Sequence, residues 1–160
     1  MKLEYNAEQI ARAQVYHVPN ARAKIKGGEE YPTLRGEVLF YRLQDSVLVV
    51  ASVENLPKTD SGFFAFHLHD GKNCSGNESD EFADAGAHFN PEKSPHPEHA
   101  GDFPPLLSNN GSAYLAFVTD RFKIRDIIGR TIIIHMNPDD FDTQPSGNAG
   151  EKIACGVINL

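Results

Sequence analysis

Six of the chain's seven histidines lie between positions 67 and 135, at His67, His69, His88, His96, His99 and His135, and Asp102 follows His99 by three residues. Imidazole is a common ligand of zinc and copper, and six rings beside a carboxylate suffice for two metal ions. A lone H-x-H on a strand is ordinarily a pair of surface histidines; the cluster is what points to metal chemistry. His96, His99 and Asp102 are spaced by threes, so one tight loop can turn their tips onto a single ion, and zinc takes such nitrogen and oxygen donors in a tetrahedral shell. His67 and His69 are two apart, and on an extended strand both project from the same face. That pair suits a second ion. The seventh histidine, His17, stands apart and is expected to take no part.

The elements that must position these residues are strands. Residues 36–43 and 46–53 are β-branched and aromatic runs joined at Gln44-Asp45, which reads as a hairpin. Phe64, Phe66 and Leu68 alternate with Ala65, His67 and His69, so the apolar set can enter a core while the imidazoles face out. Ser112–Thr119, Thr131–His135 and Ile153–Ile158 supply further strands, and short strands between turn signals fit a sandwich or barrel. Residues 70–110 and 137–150 are rich in Gly, Pro, Asn, Asp and Ser and read as long loops. Loops of that length are usually functional or disordered, and the ligands within the first favour function, with loosening expected when zinc is removed.

At 160 residues, 40% hydrophobic and 23% charged, the chain suits one domain with a sizeable core. No run approaches the roughly 18–20 apolar residues of a membrane span, and the amino terminus lacks an apolar signal core. The chain as it stands therefore reads as cytoplasmic; removal of a leader would make it periplasmic or exported. The net charge of −7 argues against a nucleic-acid partner. Residues 1–20 read as an extension, either a flexible tail or a short amphipathic helix with Ala7, Ile10, Ala11 and Val15 in helical spacing. Residues 21–160 are the domain.

Five segments occurring in order, "GFFAFHLHDG", "FADAGAHFNP", "HPEHAGDFPPL", "GRTIIIHMNPDDF" and "GNAGEKIACGVI", resemble the copper/zinc superoxide dismutases of bacterial type. The resemblance implies an all-β fold, an eight-stranded antiparallel Greek-key barrel with the metals held on its outside by two long functional loops. It implies copper ligands His67, His69, His88 and His135, and zinc ligands His88, His96, His99 and Asp102, with His88 bridging as an imidazolate. Asp139 matches the family's aspartate that hydrogen-bonds the free nitrogens of His67 and His96, fixing both rings. Cys74 and Cys155, the only cysteines, match the ends of the family's disulfide. That bridge would be worth roughly 4 kcal/mol on the chain-entropy model. The acidic stretch "GNESDEFADAG" between Cys74 and His88 suggests no role from sequence.

The activity implied is conversion of superoxide to dioxygen and hydrogen peroxide by alternating copper reduction and reoxidation, with zinc as structural partner. His88 would also carry a proton. Superoxide is an anion, so the net negative charge opposes its approach, and a local positive patch must steer it. Lys152 stands where the family has an arginine; a mobile point charge replaces a rigid fork. A homodimer is compatible with the family. A nucleophilic hydrolase is poorly supported, because Cys155 falls in a strand and no G-x-S-x-G elbow is present. A two-metal hydrolase would call for more carboxylates. The competing hypothesis is a non-catalytic copper- or zinc-binding or partner-docking module on the same fold.

Overall fold

Alternating side chains lay out the barrel. The expected hairpin forms from β2 (Arg35–Leu43) and β3 (Ser46–Glu54), paired antiparallel from Arg35↔Glu54 to Leu43↔Ser46, with Gln44 at a positive φ of 25° in its turn. β1 (Ala21–Gly27) lies on the other side of β2 and is a strand the composition did not announce. Its Ala21, Ala23 and Ile25 face inward and its Arg22, Lys24 and Lys26 outward, but two of the three inward residues are alanines. The computed structural model describes residues 7–160, apart from the side chains of residues 15 and 16.

The remaining strands are β4 (Phe63–Phe64), β5 (Phe66–His69), β6 (Leu106–Leu107), β7 (Ala113–Thr119), β8 (Thr131–His135) and β9 (Lys152–Asn159). Seven form one antiparallel sheet in the order β5-β8-β9-β1-β2-β3-β7, and β4 pairs with β6. β4 and β5 are one extended run interrupted at Ala65, whose N–H donates to Asn137 O at 2.8 Å and whose carbonyl accepts His135 N–H at 2.9 Å. Counted as one strand they give the expected eight among the described residues. The β4 end of this run pairs with β6, and β6 turns back into β7 through the Asn109↔Ser112 bridge. The sheet thereby curls until its two edges meet. β6 lies inside the stretch expected to be loop.

Phe40, Phe64, Phe66, Leu68, Ile132 and Ile134 fill the interior and are fully buried. Because β5 and β8 pair with Phe66↔Ile134 and Leu68↔Ile132 in register, His67, His69, Ile133 and His135 all fall on the outer face. A bulge between Ile134 and His135 ends the regular pairing of β8 with β9 there. The outward histidines do not reach water, however: His67 is 0% and His69 2% exposed, since the long loops lie over them.

The acidic stretch has a structural role after all. Its Phe82 and Ala85, the latter in a 3-10 turn, pack on Ile133 and Cys155 outside the barrel. Cys74 and Cys155 form the disulfide, with Cα atoms 5.6 Å apart. The first loop is therefore sealed to β8 and β9 by an apolar patch and a covalent bond.

At the amino terminus α1 (Ala7–Tyr16) forms; residues 1–6 lie outside the described part. Its inward face differs from expectation. Ala13 is buried and Ile10 half-buried against Tyr41, Leu48 and Val50, while Ala7 and Ala11 are exposed and the side chain of Val15 lies outside the described part. A single turn, α2 (Ile124–Ile127), leads from β7 to β8. Among the described residues no helix is long and apolar enough to cross a membrane.

Candidate metal centre

Backbone pairing brings the loop ligands to the strand ligands. One edge of β5 pairs with β8, and the other is taken by the first loop: Leu68 N–H donates to Gly101 O at 2.9 Å, and Phe89 N–H to Leu68 O at 2.8 Å. This sets His88 opposite His69 and Asp102 opposite His67. His135 enters from β8, and His96 and His99 from the loop between those two pairing segments. Two groups result, His67, His69, His88 and His135, and His88, His96, His99 and Asp102, with the ligand atoms of each within 4.8 Å of one another. His88 belongs to both.

The second nitrogen of each ring fixes which atom is free, because a carboxylate or carbonyl can only accept. His67 Nε2–H donates to Asp139 Oδ2 at 2.7 Å, and His96 Nε2–H to Asp139 Oδ1 at 2.9 Å. His69 Nδ1–H donates to Gly86 O at 2.8 Å, and His135 Nδ1–H to Gly150 O at 3.1 Å. The lone pairs left over converge. His69 Nε2 and His135 Nε2 lie 3.3 Å apart, and His67 Nδ1 and His88 Nε2 are buried without a hydrogen-bond partner. On the other side His88 Nδ1 is 2.7 Å from Asp102 Oδ1 and 3.4 Å from His99 Nδ1, and His96 Nδ1 is 3.1 Å from Asp102 Oδ2. His67 Nδ1, His88 Nε2 and His96 Nδ1, buried with no hydrogen-bond partner among these converging groups, call for cations. The donor sets suit copper, with four imidazoles, and zinc, with three imidazoles and a carboxylate.

Asp139 is 6% exposed and joins the two groups through His67 and His96. Burial pushes its carboxyl up, but hydrogen bonds from His67, the Phe141 N–H and His96 outweigh this and hold it down to about 2. Burial likewise opposes the charge of Asp102, and the His88 contact holds it below its ordinary value.

Three supports escaped the sequence reading. A Cβ on Gly147 would lie 2.0 Å from Asp139 Oδ1, so only glycine lets the second loop close on that carboxylate. Gln144 accepts the His96 N–H at 2.9 Å and donates to His96 O at 2.7 Å, while Arg121 donates to Pro97 O and His99 O at 3.1 and 3.0 Å. Glutamine and arginine in polar stretches carry no signal of such long-range clamps.

Lys152, the register partner of His135 across β8 and β9, points its ammonium at Asp80 of the acidic stretch. Its side chain is 15% exposed.

Burial lowers the pKa of His67, sets that of His69 well below the usual 6.5, and takes His135 down to about 3. In the metal-free protein these rings stay neutral when folded but take a proton on unfolding below their ordinary value. The unfolded chain then binds more protons, so stability falls as pH drops from about 6.5 towards 3. Urea midpoints of the metal-free protein should decline through that window; a midpoint constant between pH 7 and 5 would contradict it. Zinc removal should also speed amide hydrogen exchange across residues 88–102, whose polar tips then face one another uncompensated. Identical exchange with and without zinc would refute this.

Comparison with known proteins agrees with the geometry. A family model described as copper/zinc superoxide dismutase (SODC) matches residues 34–158. Copper-zinc superoxide dismutases of Legionella pneumophila and Aquifex aeolicus are each 33% identical, over 135 and 138 residues, covering 79% and 77% of this chain and 79% of each relative. The solved Cu/Zn superoxide dismutase from Brucella abortus superposes with a TM-score of 0.72 at 26% identity, covering 86% of this chain and 99% of that one. The fold is the all-β Greek-key barrel of that structure. The chain belongs to the copper/zinc superoxide dismutase family, oxidoreductases whose cofactors are copper and zinc and whose substrate is superoxide.

Proposed function

We propose that His67, His69, His88 and His135 hold copper, that His88, His96, His99 and Asp102 hold zinc, and that the pair carries out superoxide dismutation. The observation that carries this assignment is the two-sidedness of His88: its Nδ1 faces Asp102 and His99, while its Nε2 is buried and unpartnered on the side of the other three histidines. Copper, when bound, supplies the one-electron exchange that turns one superoxide into dioxygen and a second, with two protons, into hydrogen peroxide. The side chains supply the rest. Hydrogen bonds to Asp139, Gly86 and Gly150 hold the His67, His69 and His135 rings in their ligating tautomers. Asp139 also orients His96, so the positions of the two groups are linked through one carboxylate. With copper bound, His88 Nε2, unpartnered on the side of the other three histidines, would be the atom to hold and give up a proton as superoxide is reduced.

Lys152 is the positive charge nearest in register to His135 and is the group we assign to drawing the anion in. Lys152→Ala should slow turnover of dilute superoxide at low ionic strength by about tenfold, the lower end of steering effects. An unchanged rate would remove Lys152 from the mechanism.

Metal analysis paired with a dismutation assay tests the function. Reconstituted protein should retain copper and zinc in equal amounts and accelerate superoxide decay in proportion to copper. Binding of both metals without turnover would instead indicate a docking module.

A further inference from the structure

We propose that Asp80 restrains the anion-attracting charge of Lys152, holding its ammonium in an ion pair that an incoming superoxide must share or displace. The inference rests on the steering role assigned to Lys152 above. Lys152 Nζ donates to Asp80 Oδ2, with 15% of the lysine side chain and 37% of the aspartate exposed. The carboxylate is the fixed partner. Asp80 Oδ1 accepts the Phe82 N–H at 3.0 Å, Asp80 O accepts the N–H groups of Asn77 and Ala83 at 2.9 and 3.1 Å, and Asn77 Oδ1 accepts the Asp80 N–H at 3.2 Å. Phe82 in turn is packed on Ile133 and Cys155, so this turn is anchored to the barrel. Lys152 has a four-carbon stem and is the partner able to swing.

The surroundings strengthen the restraint. A cavity of about 810 Å³ beside the pair is lined by Glu29, Glu30, Glu78, Asp80, Glu81 and Glu151, and Lys152 is the one lysine or arginine among its lining residues. Viewed from a distance, a cation in contact with a carboxylate is largely cancelled, so the positive patch expected from the sequence is compensated within the chain. A rigid carboxylate thus does two things: it keeps Lys152 from wandering into the cavity, and it competes with the substrate for the same ammonium. The second effect is the one proposed to set the sign, Lys152 being the one cation among the lining residues of that cavity.

The test compares metal-loaded wild type with Asp80→Asn, Glu78→Gln and Lys152→Ala. Asp80→Asn is expected to raise kcat/KM for superoxide at low ionic strength by roughly three- to tenfold, with a steeper decline as salt is added. Glu78→Gln removes the same charge from the same cavity wall without touching Lys152, and should have a clearly smaller effect. Acylation of the Lys152 amine, followed by peptide mass spectrometry, should speed up in Asp80→Asn and stay unchanged in Glu78→Gln. A rate that is unchanged or lower in Asp80→Asn, one matched by Glu78→Gln, or unaltered acylation would each overturn the proposal. If Lys152→Ala is slowed in that case, steering stands and only the restraint fails. If Lys152→Ala is itself unaffected, both fall together.

Discussion

His135→Ala is expected to abolish copper-dependent superoxide decay while leaving the barrel and the zinc group in place. His135 ends β8 just past a bulge, with its Nδ1 tied to Gly150 O and its Nε2 facing His69 Nε2 at 3.3 Å. Truncation removes one of four imidazoles from the group proposed to hold copper but none from the group proposed to hold zinc. Changes to residues that merely orient a ligand cost about 10- to 100-fold in affinity or activity, so loss of a ligand itself should exceed about 100-fold. The ring is on the outer face of β8, and the core side chains Ile132 and Ile134 of that strand are untouched. Circular dichroism and zinc content should therefore match wild type. Activity within a few-fold of wild type would contradict the assignment of His135.

Removal of the disulfide should give the largest loss of stability. Cys74 and Cys155 are 81 residues apart, so the bond closes a long loop and strongly restricts the unfolded chain. The double change Cys74→Ser with Cys155→Ser should lower the unfolding free energy by roughly 4 kcal/mol, and the melting midpoint by about 10 °C. Cys155 is 2% exposed within the patch of Phe82, Ala85 and Ile133, so the serine there also adds a buried hydroxyl. The same bond holds the start of the first loop, which carries the Gly86 carbonyl that orients His69. Copper affinity should thus fall alongside stability. Equilibrium urea unfolding of the metal-free protein measures the first effect, and a loss below about 1 kcal/mol would show that the patch alone seals the loop.

Much of the fold was legible because its signals are local. Alternation in Phe64–His69 placed the apolar set inward and the imidazoles outward, and the β2–β3 hairpin was visible from two apolar runs and a two-residue turn. The candidate metal ligands stood out because histidine is scarce elsewhere in the chain. What escaped depends on contacts between distant segments. β1 is short of large apolar residues and owes its place to pairing with β2 and β9 on either side. The inward face of α1 is set by Tyr41, Leu48 and Val50, so Ala13 is buried where spacing alone favoured Ala11. Burial of the ligand histidines follows from loop coverage rather than from the strand pattern that turned them outward. Gly147 and Gln144 act across the two loops, Arg121 clamps the first loop from the segment after β7, and the Lys152–Asp80 pair spans 72 residues. No periodicity records such meetings.

The His88 ring is proposed to serve two coordination shells at once. The most direct measurement is a crystal structure of the copper- and zinc-loaded protein, with anomalous diffraction recorded at both absorption edges. Copper is expected on the Nε2 side of His88 among His67, His69 and His135, and zinc on the Nδ1 side among His96, His99 and Asp102, each about 2.0–2.2 Å from its ring nitrogen. Two ions with the His88 ring bound to one of them alone, or a single ion occupying the whole cluster, would contradict it.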